Sequence, residues 1–435
     1  MKNLITRAFS VIFALIMVFG LMAPATMIST AAAGANETAT QSATYKKLDL
    51  SGKNFYTVKN TAVLRSSTGL IYTKLATFEK SSLIETSGTY GDFHKVVIKM
   101  NGKNTVGYIK KDELKGYVTT YNAKFCYTNK NAALRQAPYE DGDKITNIPK
   151  GNVLYTVSTM TNGYKNTWVG VYYQNHIKYM FIDNIKRTDK ITISVSGPEF
   201  IKTGSTTNFK VTVSPSAITG LTVTSSNTKL ATVDNKGVVT PKAGGDVTIT
   251  ASLDGVVSAS VNTNISLGVK AYFQTKNYTC SAASAAAVIR YLGKGTYSDT
   301  TLYNSINGYV YKIRDSLNKY VGGKYTYCYN TFTNINTYEE AIRTSLAQNC
   351  PVVVRISFPS KYFNYKSNGH YSTVVGVYQK DNGEVWAILV DSFVNRYKST
   401  TYSNAETGEV HVPLKDLYYY NSYEGRDARY IIYNN

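Results

Sequence analysis

Between residues 54 and 265 the chain is written as short runs of alternating apolar and polar residues, separated by clusters of Gly, Asn, Asp and Ser. A period of two with frequent turns is buried efficiently only as antiparallel β-structure, because a helix would scatter those apolar positions around its circumference. Within this stretch one pattern is written twice. Ala62-Val63-Leu64-Arg65-Ser66 and the closing Gly107-Tyr108-Ile109-Lys110-Lys111-Asp112-Glu113-Leu114 are answered by Ala132-Ala133-Leu134-Arg135 and the closing Tyr179-Met180-Phe181-Ile182-Asp183-Asn184-Ile185, with Lys150-Gly151 and Trp168-Val169-Gly170-Val171 between. The repetition predicts two small β modules of one design, at 54–117 and 122–188. A third, Thr-, Ser- and Val-rich series of strands at 190–265 predicts a β-sandwich.

The 435 residues exceed what one core usually organises, so several domains are expected. Lys2 and Arg7, the apolar run Val11 to Ala23 and the small residues ending Ala31-Ala32-Ala33 follow the order of an export signal. Residues 1–33 are therefore expected to be removed, with 34–53 as a linker. The run is shorter than the ~20 apolar residues of a membrane span and none later approaches it, so no span is expected in the mature chain. The final Tyr430-Ile431-Ile432-Tyr433-Asn434-Asn435 carries neither hydrophobic tail nor sorting motif, which makes any surface attachment non-covalent. Four cysteines, Cys126, Cys280, Cys328 and Cys350, are too few for a disulfide scaffold; Cys328 and Cys350 are the pair expected first.

Forty-eight basic against 28 acidic residues give a net charge of +20. Most of it is local: residues 45–189 carry +11, residues 190–265 carry +2 and residues 266–435 carry +6. A basic pair of modules on an exported chain reads as an address for an anionic wall polymer, against the alternative of ordinary solvated charge. Nucleic acid is a poor partner for an exported chain, and no fold signature for base stacking accompanies the charge.

The last 170 residues, 266–435, change character. Cys280-Ser281-Ala282-Ala283-Ser284-Ala285-Ala286-Ala287-Val288-Ile289-Arg290-Tyr291-Leu292 predicts a helix stopped by Gly293. Cys280 stands at its first turn, where unpaired N–H groups and the positive end of the helix dipole stabilise a thiolate. Gln274, six residues upstream, supplies an amide donor for an oxyanion. A base must come from elsewhere. Of the four histidines, His94 and His176 lie in the repeats; His370 begins the strand-like His370–Tyr378, and His411 precedes Val412-Pro413 and is kept as a substitute.

Asp381-Asn382-Gly383 then predicts a hairpin into Val385–Asp391. A five-residue loop, Gln379–Gly383, would pair 378 with 384 and set 370 and 371 opposite 392 and 391; a two-residue turn at Asn382-Gly383 would set Asn395 opposite His370. Asp391 is the expected orienting residue, with Asn395 left open. No zinc spacing such as C-x2-C or H-E-x-x-H is present, and neither metal nor cofactor is expected. Taken singly, each site residue has a bland reading: a buried cysteine, a satisfied strand histidine, a surface glutamine, an aspartate ending a strand. Together they describe an acyl-transfer site. The 24 tyrosines of 266–435, among 38 in all, are expected mainly to cover sheet faces.

Three resemblances attach to these residues. The repeated motifs resemble bacterial SH3-like (SH3b) domains. Ser225-Ser226-Asn227, Leu230-Ala231-Thr232-Val233-Asp234, Lys236-Gly237-Val238-Val239-Thr240 and Gly244–Ala251 resemble the bacterial Ig-like group 2 domain, whose expected role here is a spacer. Tyr272-Phe273-Gln274, Cys280, Ala283, Tyr291-Leu292-Gly293, Gly369-His370-Tyr371 and Asp391 resemble the papain-like C39 peptidases in their stand-alone, C39-like form. The implied architecture is two small all-β SH3-like barrels, one Ig-like β-sandwich and a C-terminal papain-like α+β domain, with a helix carrying the cysteine against an antiparallel sheet carrying the histidine. The implied roles are Cys280 as nucleophile, His370 as base and then acid, Asp391 as orienting group and Gln274 as oxyanion donor, acting on a peptide or protein substrate. Ser281-Ala282 and Asp391-Ser392 depart from the Gly-Pro and Asp-Pro usual in that family. The expected protein is a secreted, wall-associated cysteine peptidase, its basic pair binding peptidoglycan or an anionic wall polymer. Two alternatives stand beside it: an NlpC/P60-type peptidoglycan endopeptidase, whose Asp-Cys-Ser-Gly context is absent, and a non-catalytic adhesion protein with an inactive peptidase fold.

Overall fold

The computed structural model describes residues 37–434 apart from 254, 358–368, 394–407 and 422–428. The export signal expected at 1–33 and the alternative Asn395 lie outside the described residues. The stretch expected as a linker, 34–53, holds two strands from residue 37 onward: Glu37–Ala43 pairs along its whole length with Ile191–Gly197, and Lys46–Asp49 pairs with Thr120–Ala123.

The doubled sequence pattern is a doubled backbone pattern. Ala62–Arg65 pairs with Lys74–Phe78 and Ala132–Arg135 with Lys144–Ile148; both ladders slip before the arginine, and Arg65 and Arg135 each face a tyrosine of the closing strand, Tyr108 and Tyr179. Each closing strand ends in a 3-10 turn, Lys111–Glu113 or Ile182–Asn184. Among the described residues neither repeat closes into a small barrel of its own. The ten-residue strand Val153–Asn162 of the second repeat bulges near Val157, and its far end pairs Met160 with Phe78 and Asn162 with Ala76 of the first. Both repeats thereby join one 13-stranded sheet, whose order among the described residues does not close. Their cores fuse as well, Leu64, Phe78 and Ile109 sharing a cluster with Val157, Met160 and Trp168. His176 Nδ1 lies 2.6 Å from Glu85 Oε1 across the repeats, and His94 is buried against Tyr56.

Residues 190–265, completed by Glu37–Ala43, form the expected sandwich. Phe200–Lys202, Val257–Ser266, Gly245–Leu253 and Thr222–Ser225 make one sheet, packed over a common core with Ile191–Gly197 and its neighbours. This sandwich is not held away from the C-terminal region. Asn264 Nδ2 donates to Val377 O at 2.9 Å, Gly244 N to Leu346 O at 2.9 Å, Arg343 pairs with Asp246 at 3.2 Å, and Phe200 packs edge-on to Tyr378 at 4.8 Å.

The C-terminal region is α+β. Its six-stranded antiparallel sheet runs Tyr327–Phe332, Arg429–Asn434, Val352–Ile356, His370–Gln379, Val385–Val390, Glu409–Pro413. Helices α1 (Cys280–Tyr291), α2 (Asp299–Ser305), α3 (Ile313–Val321), α4 (Ile335–Ala347) and α5 (Leu414–Tyr420) surround it. Helix α1 packs on the strand His370–Gln379 and on α2 and α3. It is buried from Cys280 to Ile289, and its run of Ala and Ser lets the sheet and the neighbouring helices approach it closely. Its end is the predicted one. Gly293 adopts φ +70°, its N–H reaches Arg290 O and the N–H of Lys294 reaches Ile289 O, so the last carbonyls are satisfied.

The nominated Cys328–Cys350 bond is absent, and all four cysteines are free thiols. Cys328 pairs in register with Tyr433, whose strand lies between it and Val352–Ile356, the strand that Cys350 leads into. Two strand spacings are about 10 Å, beyond the ~7 Å Cα separation a disulfide tolerates. Among the described residues no helix is long and apolar enough to cross a membrane.

Candidate active site

Cys280 is the first residue of α1 and is 7% exposed. Thr279 precedes it without capping the helix through its own hydroxyl, so the first-turn N–H groups remain available. Burial pushes the thiol up, but the hydrogen bond and positive charge of His370, with the N–H groups of Tyr371 and Ser281, outweigh it and hold the thiol below its ordinary value.

His370 opens its strand at 6% exposure, and Asp391, at 0%, follows the next strand. His370 Nε2 and Asp391 Oδ1 are 2.5 Å apart, while Phe393 N donates to the same carboxylate oxygen at 3.3 Å. Burial pushes the imidazole down, but the charge and hydrogen bond of Asp391, reinforced by Cys280, raise it to about 10. With Nε2 given to Asp391, Nδ1 is the nitrogen left for sulfur. The geometry therefore favours an imidazolium beside a thiolate.

The hairpin that brings these residues together differs from both sequence readings. Tyr378 pairs with Trp386 and Gln379 with Val385, around a loop closed by Lys380 N on Glu384 O at 2.9 Å. The ladder then slips by one at Val375, so that Val374 faces Leu389 and Thr373 faces Val390. The bulge leaves Val375 O outside this ladder, and Leu267 N donates to it at 2.7 Å. Continued one step, the shifted register sets Ser372 across from Asp391 and leaves His370 diagonal to it on the same face, within reach of an imidazole. The five-residue-loop register would have put Asp391 opposite Tyr371, on the other face.

Gln274 lies on the loop leading to α1. Its N–H donates to Ser392 O at 3.0 Å, its Oε1 accepts from Ser392 Oγ at 3.0 Å, and its Nε2 donates to Lys276 O at 2.8 Å. The amide is thus turned by Ser392, which stands where the family resemblance expects proline; a proline has no hydroxyl to give it. One amide N–H remains for an incoming oxyanion. Sequence reasoning flagged Ser392 as a departure without seeing this use, and the signal was only its place next to Asp391. Phe393, which it did not single out, packs beside the imidazole at 5.9 Å between ring centres. The substitute base His411 is elsewhere: Nδ1 is 3.0 Å from Tyr378 Oη, Nε2 is 3.2 Å from Glu409 Oε1, and the ring packs on Phe200.

Residues 266–411 match the model of the Peptidase_C39 like family, and residues 189–263 match that of the bacterial Ig-like domain (group 2). The chain therefore carries a C39-like cysteine-type peptidase domain behind a group 2 bacterial Ig-like domain. No curated protein matches the chain. Solved structures similar to parts of it include Ly7917, at 12% identity over 33% of this chain and 61% of that one, TM-score 0.12. Ly7917 with the hydrolyzing product of MDP is similar at 14% identity over 37% of this chain and 66% of that one, TM-score 0.13. NlpC2 from Trichomonas vaginalis is similar at 9% identity over 80% of this chain and 94% of that one, TM-score 0.17. The chain spans less than two thirds of the two Ly7917 structures, and at these scores none of the three bears on fold or activity.

Proposed function

We propose that this chain is a secreted, wall-attached peptidase that hydrolyses peptide bonds with Cys280 as nucleophile, His370 as acid and base, Asp391 as orienting group and Gln274 as oxyanion donor. The observation that carries the catalytic reading is the buried series of contacts from Asp391 through His370 to Cys280. The thiolate attacks the peptide carbonyl, forming the S–C bond, and the oxyanion is met by Gln274 Nε2–H and a backbone N–H at the start of α1. His370 protonates the departing amine as the C–N bond breaks. It then takes a proton from water, whose oxygen attacks the thioester and releases the acid and the thiolate. Asp391 keeps the imidazole in the orientation that leaves Nδ1 for sulfur.

The full chain is expected to cleave a mixed peptide library, and Cys280→Ala to lower that rate by about 10⁴-fold or more, in line with removal of other catalytic nucleophiles. Cleavage that survives Cys280→Ala would remove the cysteine from the mechanism, and a full chain that cleaves nothing would leave a binding protein.

The attachment half rests on charge. The SH3b-like pair carries the +11 of residues 45–189 and is read as the module that meets an anionic wall polymer, with export directed by residues 1–33. Purified Gram-positive walls are expected to pellet the full chain at low salt and to release it near 1 M, where screening shortens to about 3 Å. A chain that stays in the supernatant at both salts has no such address.

A further inference from the structure

We infer that Asp299 is a positioning residue, a buried carboxylate that fixes the loop joining Gln274 to Cys280 and thereby sets the oxyanion site. The inference rests on the reading of Cys280 as nucleophile. Asp299 is the first residue of α2 and is 0% exposed. An acid at a helix start ordinarily turns toward its own unpaired N–H groups. Here Ser298 takes that duty, its Oγ accepting from Thr301 N at 3.0 Å, and the Asp299 side chain turns inward.

Inside, Oδ2 accepts from Thr275 N at 2.7 Å and from Thr279 Oγ1 at 2.6 Å. Thr275 Oγ1 lies 3.0 Å from each carboxylate oxygen, and Oδ1 also accepts from Thr300 N at 2.9 Å. Apart from Thr300, these donors are the two ends of one five-residue loop: Thr275 is bonded to Gln274, and Thr279 to Cys280. Residues 275–278 are exposed, so packing in the core does not set the shape of this loop. A carboxylate this deep is stable only with its acceptor sites filled, and it fills them with the loop that separates the two halves of the site. The groups acting on the Cys280 sulfur are His370 and the N–H groups of Tyr371 and Ser281. Asp299 therefore works on where Gln274 sits and not on whether the thiol is ionised.

Two reagents separate those effects in the full chain. Iodoacetamide forms the S–C bond as iodide leaves, with no oxyanion on the way. With p-nitrophenyl acetate the sulfur adds to the carbonyl, an oxyanion forms, and nitrophenolate departs to leave the thioester. Asp299→Asn is expected to slow acylation about 10- to 100-fold, the range of a displaced oxyanion donor, while alkylation changes less than about threefold and keeps its pH profile. Thr275→Val, at an exposed position, is expected to show the same split at smaller amplitude, and it serves if Asp299→Asn does not fold. Gln274→Ala should show the split in full, and adding Asp299→Asn to it should cost nothing more, because both act through one group. Acylation and alkylation falling together, neither falling, or additive losses in the double variant would overturn the role of Asp299. A wild-type chain whose alkylation follows an ordinary thiol titration overturns the nucleophile itself, and the inference with it.

Discussion

Alkylation of Cys280 by iodoacetamide is expected to rise less steeply between pH 6 and pH 8 than that of an unperturbed thiol of pKa near 8.5, which accelerates roughly tenfold per unit there. Two opposed shifts give the sign. The thiol is raised by burial but lowered further by His370 and two backbone N–H groups, so it ionises below its usual range. The imidazole is lowered by burial but raised further by Asp391 and Cys280, to about 10. Between those limits the pair is thiolate and imidazolium. As pH falls through the thiol's value, sulfur takes a proton and reaction fades. As pH rises through about 10 the imidazolium loses the proton that the leaving amine needs, so hydrolysis declines on the alkaline side only there. The slope is the diagnostic and not the absolute rate, because a low-pKa thiolate is also a weaker nucleophile. His370→Ala leaves a buried thiol without its cation. Its alkylation should drop at least about tenfold at pH 6 and recover a steep rise with pH, displaced upward by burial. A steep profile already present in the wild type would defeat the ion pair.

What the sequence disclosed and what it hid divide along local and non-local lines. The Cys280 helix was legible because everything that makes it is adjacent in sequence: the Ala-rich run, and Gly293 taking the left-handed conformation at its end. The repeat was legible down to Arg65 and Arg135 because each sits at the same slip in the same hairpin. The partnership of His370 with Asp391 was legible as residue types but not as register. That register depends on a bulge at Val375, and the carbonyl of Val375 is met by Leu267 N, over a hundred residues away in the chain. Joining the two repeats into one sheet was hidden for a similar reason. The pairing of Met160 with Phe78 requires Val153–Asn162 to run past its own repeat, and alternation alone does not say whose edge a long strand will find. Asp299 carries no local signal of its role, because only the fold turns it onto Thr275 and Thr279.

Separating residues 266–435 from the rest of the chain is expected to lower the thermal midpoint of the peptidase domain by about 10–20 °C, although the family match begins at that boundary. The Ig-like sandwich contributes contacts that this fragment cannot replace. Asn264 Nδ2 is hydrogen-bonded to Val377 O in a buried position, and Gly244 N to Leu346 O at the end of α4. Lys202 pairs with Glu409, and Phe200 packs on both Tyr378 and His411. Thr203 Oγ1 is 2.7 Å from Tyr291 Oη, whose other partner is Asn349 Oδ1 at 2.5 Å. At about 1 kcal/mol for each lost hydrogen bond and somewhat more for uncovering the face under Phe200, the loss comes to about 5 kcal/mol. For a domain of this size that corresponds to the stated shift. The consequence reaches the site, because Tyr291 ends the helix that Cys280 begins. In the full chain Thr203→Val removes one of these bonds and should lower the midpoint by about 2–4 °C. A fragment that melts with the full chain would return the sandwich to the role of a spacer; the expected deficit makes it a wall of the peptidase domain.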